Sequence, residues 1–223
     1  VGAHTEFVLN TGSEQLVIKS AVVGEFNVMN LLGVLGVMRA LGFALQDLVS
    51  LCESISAAPG RMQRFGGVAQ PLAVVDFAHT PDALEKTLRA LVPIARQRGG
   101  RLISVFGCGG DRDPGKRPQM GALAAALSDK VWVTSDNPRS EEPASIVEQI
   151  TQGAIAAQSP AEIAVQVERR LAIVQAINDA TEQDVVLIAG KGHEAYQEIK
   201  GVKHPYSDLT EVELALTQWT RPA

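Results

Sequence analysis

Short apolar runs of four to six residues, each followed by a helical stretch, constrain this chain more than any other feature. Leu72–Asp76, Leu102–Phe106, Lys130–Thr134 and Asp184–Ala189 are the clearest, and Glu162–Val167 is a weaker one. Continuous rather than alternating apolar runs mark strands buried on both faces, and helices between them supply the crossovers that parallel pairing needs. The expected helices are 81–98 (with Thr80 as N-cap and Pro81 in the first turn), 116–127, 143–157, 168–180 and 208–219. Together they predict a Rossmann-like α/β architecture: a mostly parallel sheet with helices on both faces.

The first sixty or so residues read differently. Glu6–Leu9 and Gln15–Ser20 flank Asn10-Thr11-Gly12-Ser13 and predict a hairpin, followed by helices over 27–41, with Gly42 closing the first, and 45–55. Ala57-Ala58-Pro59-Gly60 breaks the pattern, and a domain boundary is expected near Arg64, giving a small α+β piece over 1–63 and the α/β domain over 64–223. The chain opens Val1-Gly2-Ala3-His4 without a methionine, which reads as a cut from something longer.

Composition matters where it removes options. Hydrophobic residues at 46% supply a core and argue against disorder. Twenty-five acidic against 20 basic residues leave a net charge of −5 with no basic run, so no footprint for nucleic acid is expected. No apolar run approaches the ~20 residues of a membrane span. Cys52 and Cys108 form no CxxC pair; Cys52 is expected in a core, and a reducing cytoplasm is the simplest setting.

In open parallel sheets ligands bind beyond the carboxyl ends of the strands. The polar and glycine-rich segments all follow strands: Asp76–Asp82, Gly107–Arg117, Ser135–Arg139 and Gly190–Glu194. Gly107–Arg117 lets backbone approach a ligand, and the helix start with Arg112, Lys116 and Arg117 favours an anion, phosphate or carboxylate. It is not a phosphate loop of the GxxxxGK[ST] type, because Arg117 stands where a hydroxyl is needed. In Asp136-Asn137-Pro138-Arg139, the arginine suits carboxylate recognition and Asp136 an ammonium group, with a helix-capping turn as the plainer alternative. In Gly190-Lys191-Gly192-His193-Glu194 the glycines expose amides and Glu194 suits a cation; His193 receives no proton-transfer role. Asp76 and His79 suit ribose and base or phosphates.

The ordered set Gly24-Glu25-Phe26-Asn27-Val28-Met29-Asn30, Pro59-Gly60-Arg61-Met62, Asp76–Asp82, Phe106–Lys116, Asp136–Arg139 and Gly190–Glu194 resembles the Mur ligase family, and in its Asp-Asn-Pro-Arg segment the diaminopimelate-adding members. The resemblance spans nearly the whole chain. Gln63 stands where relatives carry Glu, and Phe77 where Tyr is commoner. It implies an enzyme that uses ATP and Mg2+ to phosphorylate the carboxylate of UDP-MurNAc-L-Ala-D-Glu, the amine of meso-diaminopimelate then attacking the acyl phosphate. It further implies nucleotide contacts at Asn27 (adenine), Arg61 (phosphates), Asp76 (ribose) and His79, and amino-acid contacts at Arg112, Asp136, Asn137, Arg139, Gly190 and Glu194. Arg139 with Arg112 would bind the distal carboxylate that lysine lacks. No GxxGKT[ST] loop occurs in the sequence. Residues 1–63 are therefore expected to be the end of a central ATP-binding domain, the phosphate loop and metal ligands to belong to missing domains of the same polypeptide, and the chain to be inactive alone. The open alternatives are a lysine-adding or folylpolyglutamate-type ligase, a nonenzymatic nucleotide- or anion-binding module, and a structural domain with ordinary tight loops.

Overall fold

The computed structural model describes residues 5–22, 24–55 and 58–221, which form two compact units divided between Ala58 and Pro59. The opening residues Val1–His4, Ala57 in the expected break, and Pro222 in the tail lie outside the described residues.

In the first unit β1 (Thr5–Asn10) and β2 (Gln15–Ser20) pair antiparallel, Asn10 opposite Gln15. Asn10 Oδ1 accepts from the Gly12 amide at 2.8 Å, the side-chain-to-backbone bond by which Asn favours turns. Helix α1 (Glu25–Ala40) ends as expected before Gly42, whose φ of +96° suits glycine and whose amide donates to the Arg39 carbonyl at 2.9 Å. Helix α2 (Leu45–Cys52) stops three residues short of the expected end. Ile18, Leu31, Leu35, Leu48 and Cys52 form the core, so Cys52 lies where it was expected.

The second unit is built on a six-stranded sheet. Its strands are β3 (Gln63–Gly66), β4 (Leu72–Asp76), β5 (Leu102–Phe106), β6 (Lys130–Val133), β7 (Glu162–Val165) and β8 (Val185–Ala189), in spatial order β3-β4-β8-β5-β6-β7. Only β3 runs antiparallel. The division precedes the expected boundary near Arg64 for a simple reason: Gln63 pairs with Val75 and the Met62 amide donates to Asp76 Oδ2 at 2.9 Å, so these residues belong to the sheet.

Helices α3 (Pro81–Arg98), α4 (Lys116–Leu127) and α5 (Pro143–Ala156) pack on one face, and α6 (Arg169–Asn178) and α7 (Asp208–Gln218) on the other. Strand residues alternate between faces: Ala73, Val75, Ile103, Val105, Val186 and Ile188 meet Ile173, Ile177, Val212 and Leu216 of α6 and α7. Thr80 caps α3 by accepting from the Ala83 amide at 3.3 Å, with Pro81 in the first turn. A second hairpin, β9 (Tyr196–Ile199) and β10 (Val202–Pro205), lies between β8 and α7.

Candidate functional site

Because β8 sits between β4 and β5, the segments following β4, β8, β5 and β6 fall side by side along one sheet edge. These are the four polar segments: 76–82, 190–194, 107–117 and 135–139, in spatial order.

The centre of the rim is a closed set of charge-assisted bonds. Lys191, fully buried, donates from Nζ to Asn137 Oδ1 at 2.9 Å and to Glu194 Oε2 at 2.8 Å. Asn137 Nδ2 donates to the same Glu194 oxygen at 2.8 Å, while its Oδ1 also accepts from the Glu198 amide. Burial pushes the Glu194 carboxyl up, but the bonds from Lys191 and Asn137 outweigh it and hold the group below its ordinary range. Asp136, buried, accepts from the Asn137 amide at 2.6 Å on Oδ1. Gly190 has φ +120°, and a Cβ there would lie 2.6 Å from Asp136 Oδ2, so only glycine lets this turn close over that carboxylate.

Two arginines flank this centre. Arg139 Nη1 donates to the Gly110 carbonyl at 2.8 Å. Its backbone is left-handed at φ +51°, held by its amide on the Glu198 carbonyl and by the Lys200 amide on its own carbonyl. Exposed Arg112 donates to the Asp111 carbonyl at 3.3 Å. A Cβ on Gly109 would fall 2.8 Å from Arg139 Nη1 and 3.8 Å from Arg112 Cγ, so the Arg139 guanidinium and the stem of Arg112 both border that glycine.

The other basic residues of this loop are otherwise engaged, which corrects the expectation of an anion cluster there. Arg117 is buried, donating to Glu141 Oε1 at 2.8 Å and Gln149 Oε1 at 3.0 Å. Lys116 Nζ donates to the His79 carbonyl at 2.9 Å. Both tie loops together, as does Asp111, whose carboxylate takes the Ser140 hydroxyl at 2.6 Å and lies below its usual range because of the Ser140 hydrogen bonds.

Of the four expected nucleotide contacts, three gather at the β4 end of the second unit, and Asn27 lies in the first turn of α1 in the first unit. The Arg61 guanidinium stands 4.7 Å above the Phe77 ring, and His79 meets that ring edge-on at 4.6 Å. Asp76 is buried, and its carboxylate accepts from the Met62 and Ala78 amides at 2.9 Å each and from the Thr87 hydroxyl at 3.3 Å. Burial raises its pKa despite these bonds and the Arg61 charge. Three of the roughly four acceptor sites of a carboxylate are thus taken. Among the described residues no group of three or more His, Cys, Asp or Glu side chains could hold a metal ion.

Sequence reasoning missed three contributors. Lys191 lies within the glycine-rich segment 190–194, yet a lysine between two glycines gives no sign of burial. Glu198 and Gln197, whose Nε2 donates to the Asp136 carbonyl at 2.6 Å, lie on β9, which was not expected at all. The Lys200-Gly201 turn between runs of β-formers, with φ of +51° and +77°, was the available signal.

Fold and rim together define a Rossmann-like α/β domain that gathers charged and polar groups at its strand ends. Residues 60–192 match the family described as Mur ligase, glutamate ligase domain; that is more than half of the chain, and the chain belongs to this family. It is 52% identical over 213 residues to the UDP-N-acetylmuramoyl-L-alanyl-D-glutamate--2,6-diaminopimelate ligase of Janthinobacterium sp., covering 96% of this chain and 41% of that protein. The ligase of the same name from Acidovorax sp. is 52% identical over 217 residues, covering 97% and 41%. A solved structure titled with that ligase superposes with a TM-score of 0.69 at 42% identity, over 95% of this chain and 42% of the other. The chain thus spans about two fifths of the length of these relatives. No helix among the described residues is long and apolar enough to cross a membrane.

Proposed function

We propose that this chain forms the amino-acid-binding part of a cytoplasmic bacterial ligase that spends ATP to join meso-diaminopimelate to UDP-MurNAc-L-Ala-D-Glu during peptidoglycan synthesis. The observation that carries the reading is that Arg139 and the stem of Arg112 border Gly109 next to the Asn137 carbonyl, while Asn137 bonds Glu194, whose carboxylate feels the Arg139 charge. Meso-diaminopimelate carries an amine and a carboxylate at each end. Carboxylates on Asp136 and Glu194 suit an ammonium group, and two guanidinium groups suit the distal carboxylate, where lysine would leave them unpaired. The identity to relatives named for this reaction supports the same assignment.

The reaction joins the dipeptide carboxylate, activated as an acyl phosphate, to the free amine of the amino acid. In this reading the chain's contribution is to hold the distal ammonium and carboxylate, which leaves the amine at the other end deprotonated and oriented for attack and lowers the barrier by positioning. Arg61, Asp76 and His79, with Asn27, are assigned to the nucleotide. Phe77 offers Arg61 a surface to rest on, and Asp76 keeps little acceptor capacity for a ribose. Magnesium and the phosphate cradle are assigned to the part of the relatives' length that this chain does not span; when bound, the metal would neutralise phosphate charge.

Calorimetric titration with meso-diaminopimelate tests the reading, with L-lysine and ATP as controls. Diaminopimelate binding without lysine binding is the expected result. Nucleotide binding without any amino-acid binding would replace the reading with a nucleotide-binding module, and lysine bound as tightly as diaminopimelate would replace it with a ligase of other specificity.

A further inference from the structure

The least expected group at the rim is an ammonium with no access to water. Lys191 is 0% exposed, and its Nζ makes hydrogen bonds only with Asn137 Oδ1 and Glu194 Oε2 among the described residues. The rings of Tyr196 and Tyr206 lie 5.6 and 6.0 Å from it. Enclosing a lysine is costly, and an apolar side chain of the same volume generally serves stability as well or better. The geometry gives this charge a different use.

Asn137 shows it most directly. Its Oδ1 accepts from Lys191 and from the Glu198 amide, which leaves Nδ2 only one direction, toward Glu194 Oε2. A flipped amide would set its NH2 against an ammonium and an N–H, two donors. Glu194 in turn takes both of its hydrogen bonds on Oε2, which fixes the carboxylate plane and leaves Oε1 outside the triangle. Each member of the triangle bonds the other two, and Lys191 is the one wholly sealed from solvent, Asn137 being 3% exposed and Glu194 keeping 23% of its side chain exposed.

We propose that Lys191 is a positioning residue for the amino-acid substrate, locking Asn137 and Glu194 so that Glu194 Oε1 faces the incoming ammonium group. This rests on the assignment of the rim to an amino acid made above. Lys191 does not touch the substrate; it acts through the two residues that do. The charged groups facing Glu194 are Lys191 and, at longer range, Arg139.

A double-mutant cycle on the 223-residue chain tests it, read by calorimetric titration with meso-diaminopimelate. Lys191→Met and Glu194→Gln are each expected to weaken binding by about 10-fold or more. If Lys191 acts through Glu194 and Asn137, the double variant loses less affinity than the product of the two single losses; if the two losses multiply in full, the proposal is overturned. Lys191→Gln, neutral but still a donor to Asn137, carries the cycle should the Met variant not fold. The pH profile gives a second readout that a structural role would not move. Removing Lys191 raises the Glu194 pKa, so the fall in affinity on acidification begins at higher pH than in the wild type; coincident acid limbs would overturn the proposal. Wild-type chain that fails to bind diaminopimelate removes the amino-acid reading and this inference with it. Wild-type binding matched by both Lys191 variants removes this inference alone.

Discussion

Arg139 and Glu198 are joined twice: the Arg139 amide donates to the Glu198 carbonyl at 3.0 Å, and its guanidinium Nε lies 3.5 Å from the Glu198 carboxylate. With Nη1 on the Gly110 carbonyl, the guanidinium is suspended between the loop after β5 and the β9 hairpin. A fork held this way loses little freedom when it meets a carboxylate.

Arg139→Ala is therefore expected to weaken diaminopimelate binding by about 10- to 100-fold, the loss of a charge-assisted hydrogen bond, and to abolish the preference over lysine. Parallel titrations of both amino acids measure it. Retained preference would contradict the role given to Arg139.

Gly190→Ala forces a Cβ against Asp136 Oδ2 and strains a φ of +120°. The expected result is a destabilisation of about 1–3 kcal/mol with a loss of diaminopimelate affinity. Denaturant midpoints and titration separate the two effects; an unchanged affinity would show that Asp136 can move freely.

Arg169 and Asp208 are fully buried and bonded at 2.8 and 2.7 Å, and Arg169 also donates to the Ala189 carbonyl at 2.9 Å and the Ser135 carbonyl at 3.3 Å. Asp208→Asn leaves a buried guanidinium without its counter-charge and is expected to cost about 3–5 kcal/mol in urea unfolding. The double change to apolar residues is expected to cost less than this single one.

Asp184 gives the pH dependence. Burial pushes its carboxyl up, but hydrogen bonds from the Arg101 side chain and amide and from the Thr181 amide outweigh it, so its pKa in the folded chain lies below the unfolded value of about 3.9. A depressed carboxylate contributes stability above the unfolded pKa and loses it as pH falls through the folded one. The gap in urea midpoint between wild type and Asp184→Asn is thus expected to be full at pH 7 and to narrow below about pH 4. A constant gap would show that the charge is not involved.

The parallel sheet was legible because burial on both faces leaves uninterrupted apolar runs: β4 and β5 begin and end where the sequence places them. Thr80-Pro81 marks the start of α3 for local reasons that no tertiary contact overrides. Edge elements were harder. Gln63–Gly66 has two polar residues and a glycine among four, and its strand character comes from pairing with β4 rather than from its own composition. The expected site residues could be named one by one, but not what each already touches. Arg117 faces Glu141, 24 positions away, and Lys191 faces Asn137, 54 positions away, and no local pattern encodes such partners.

The place of β8 between β4 and β5 has a temporal meaning for a chain made from its amino terminus. Until residues 185–189 have been synthesised, β4 and β5 lack the strand that hydrogen-bonds to both, and the 107–117 and 135–139 segments lack their neighbour at 190–194. Completing the sheet and completing the rim are then one event, in which the last parallel strand to emerge acts as a keystone. Closing so many residues late is slow, and a nascent chain halted before Val185 would carry two half-sheets and no binding edge.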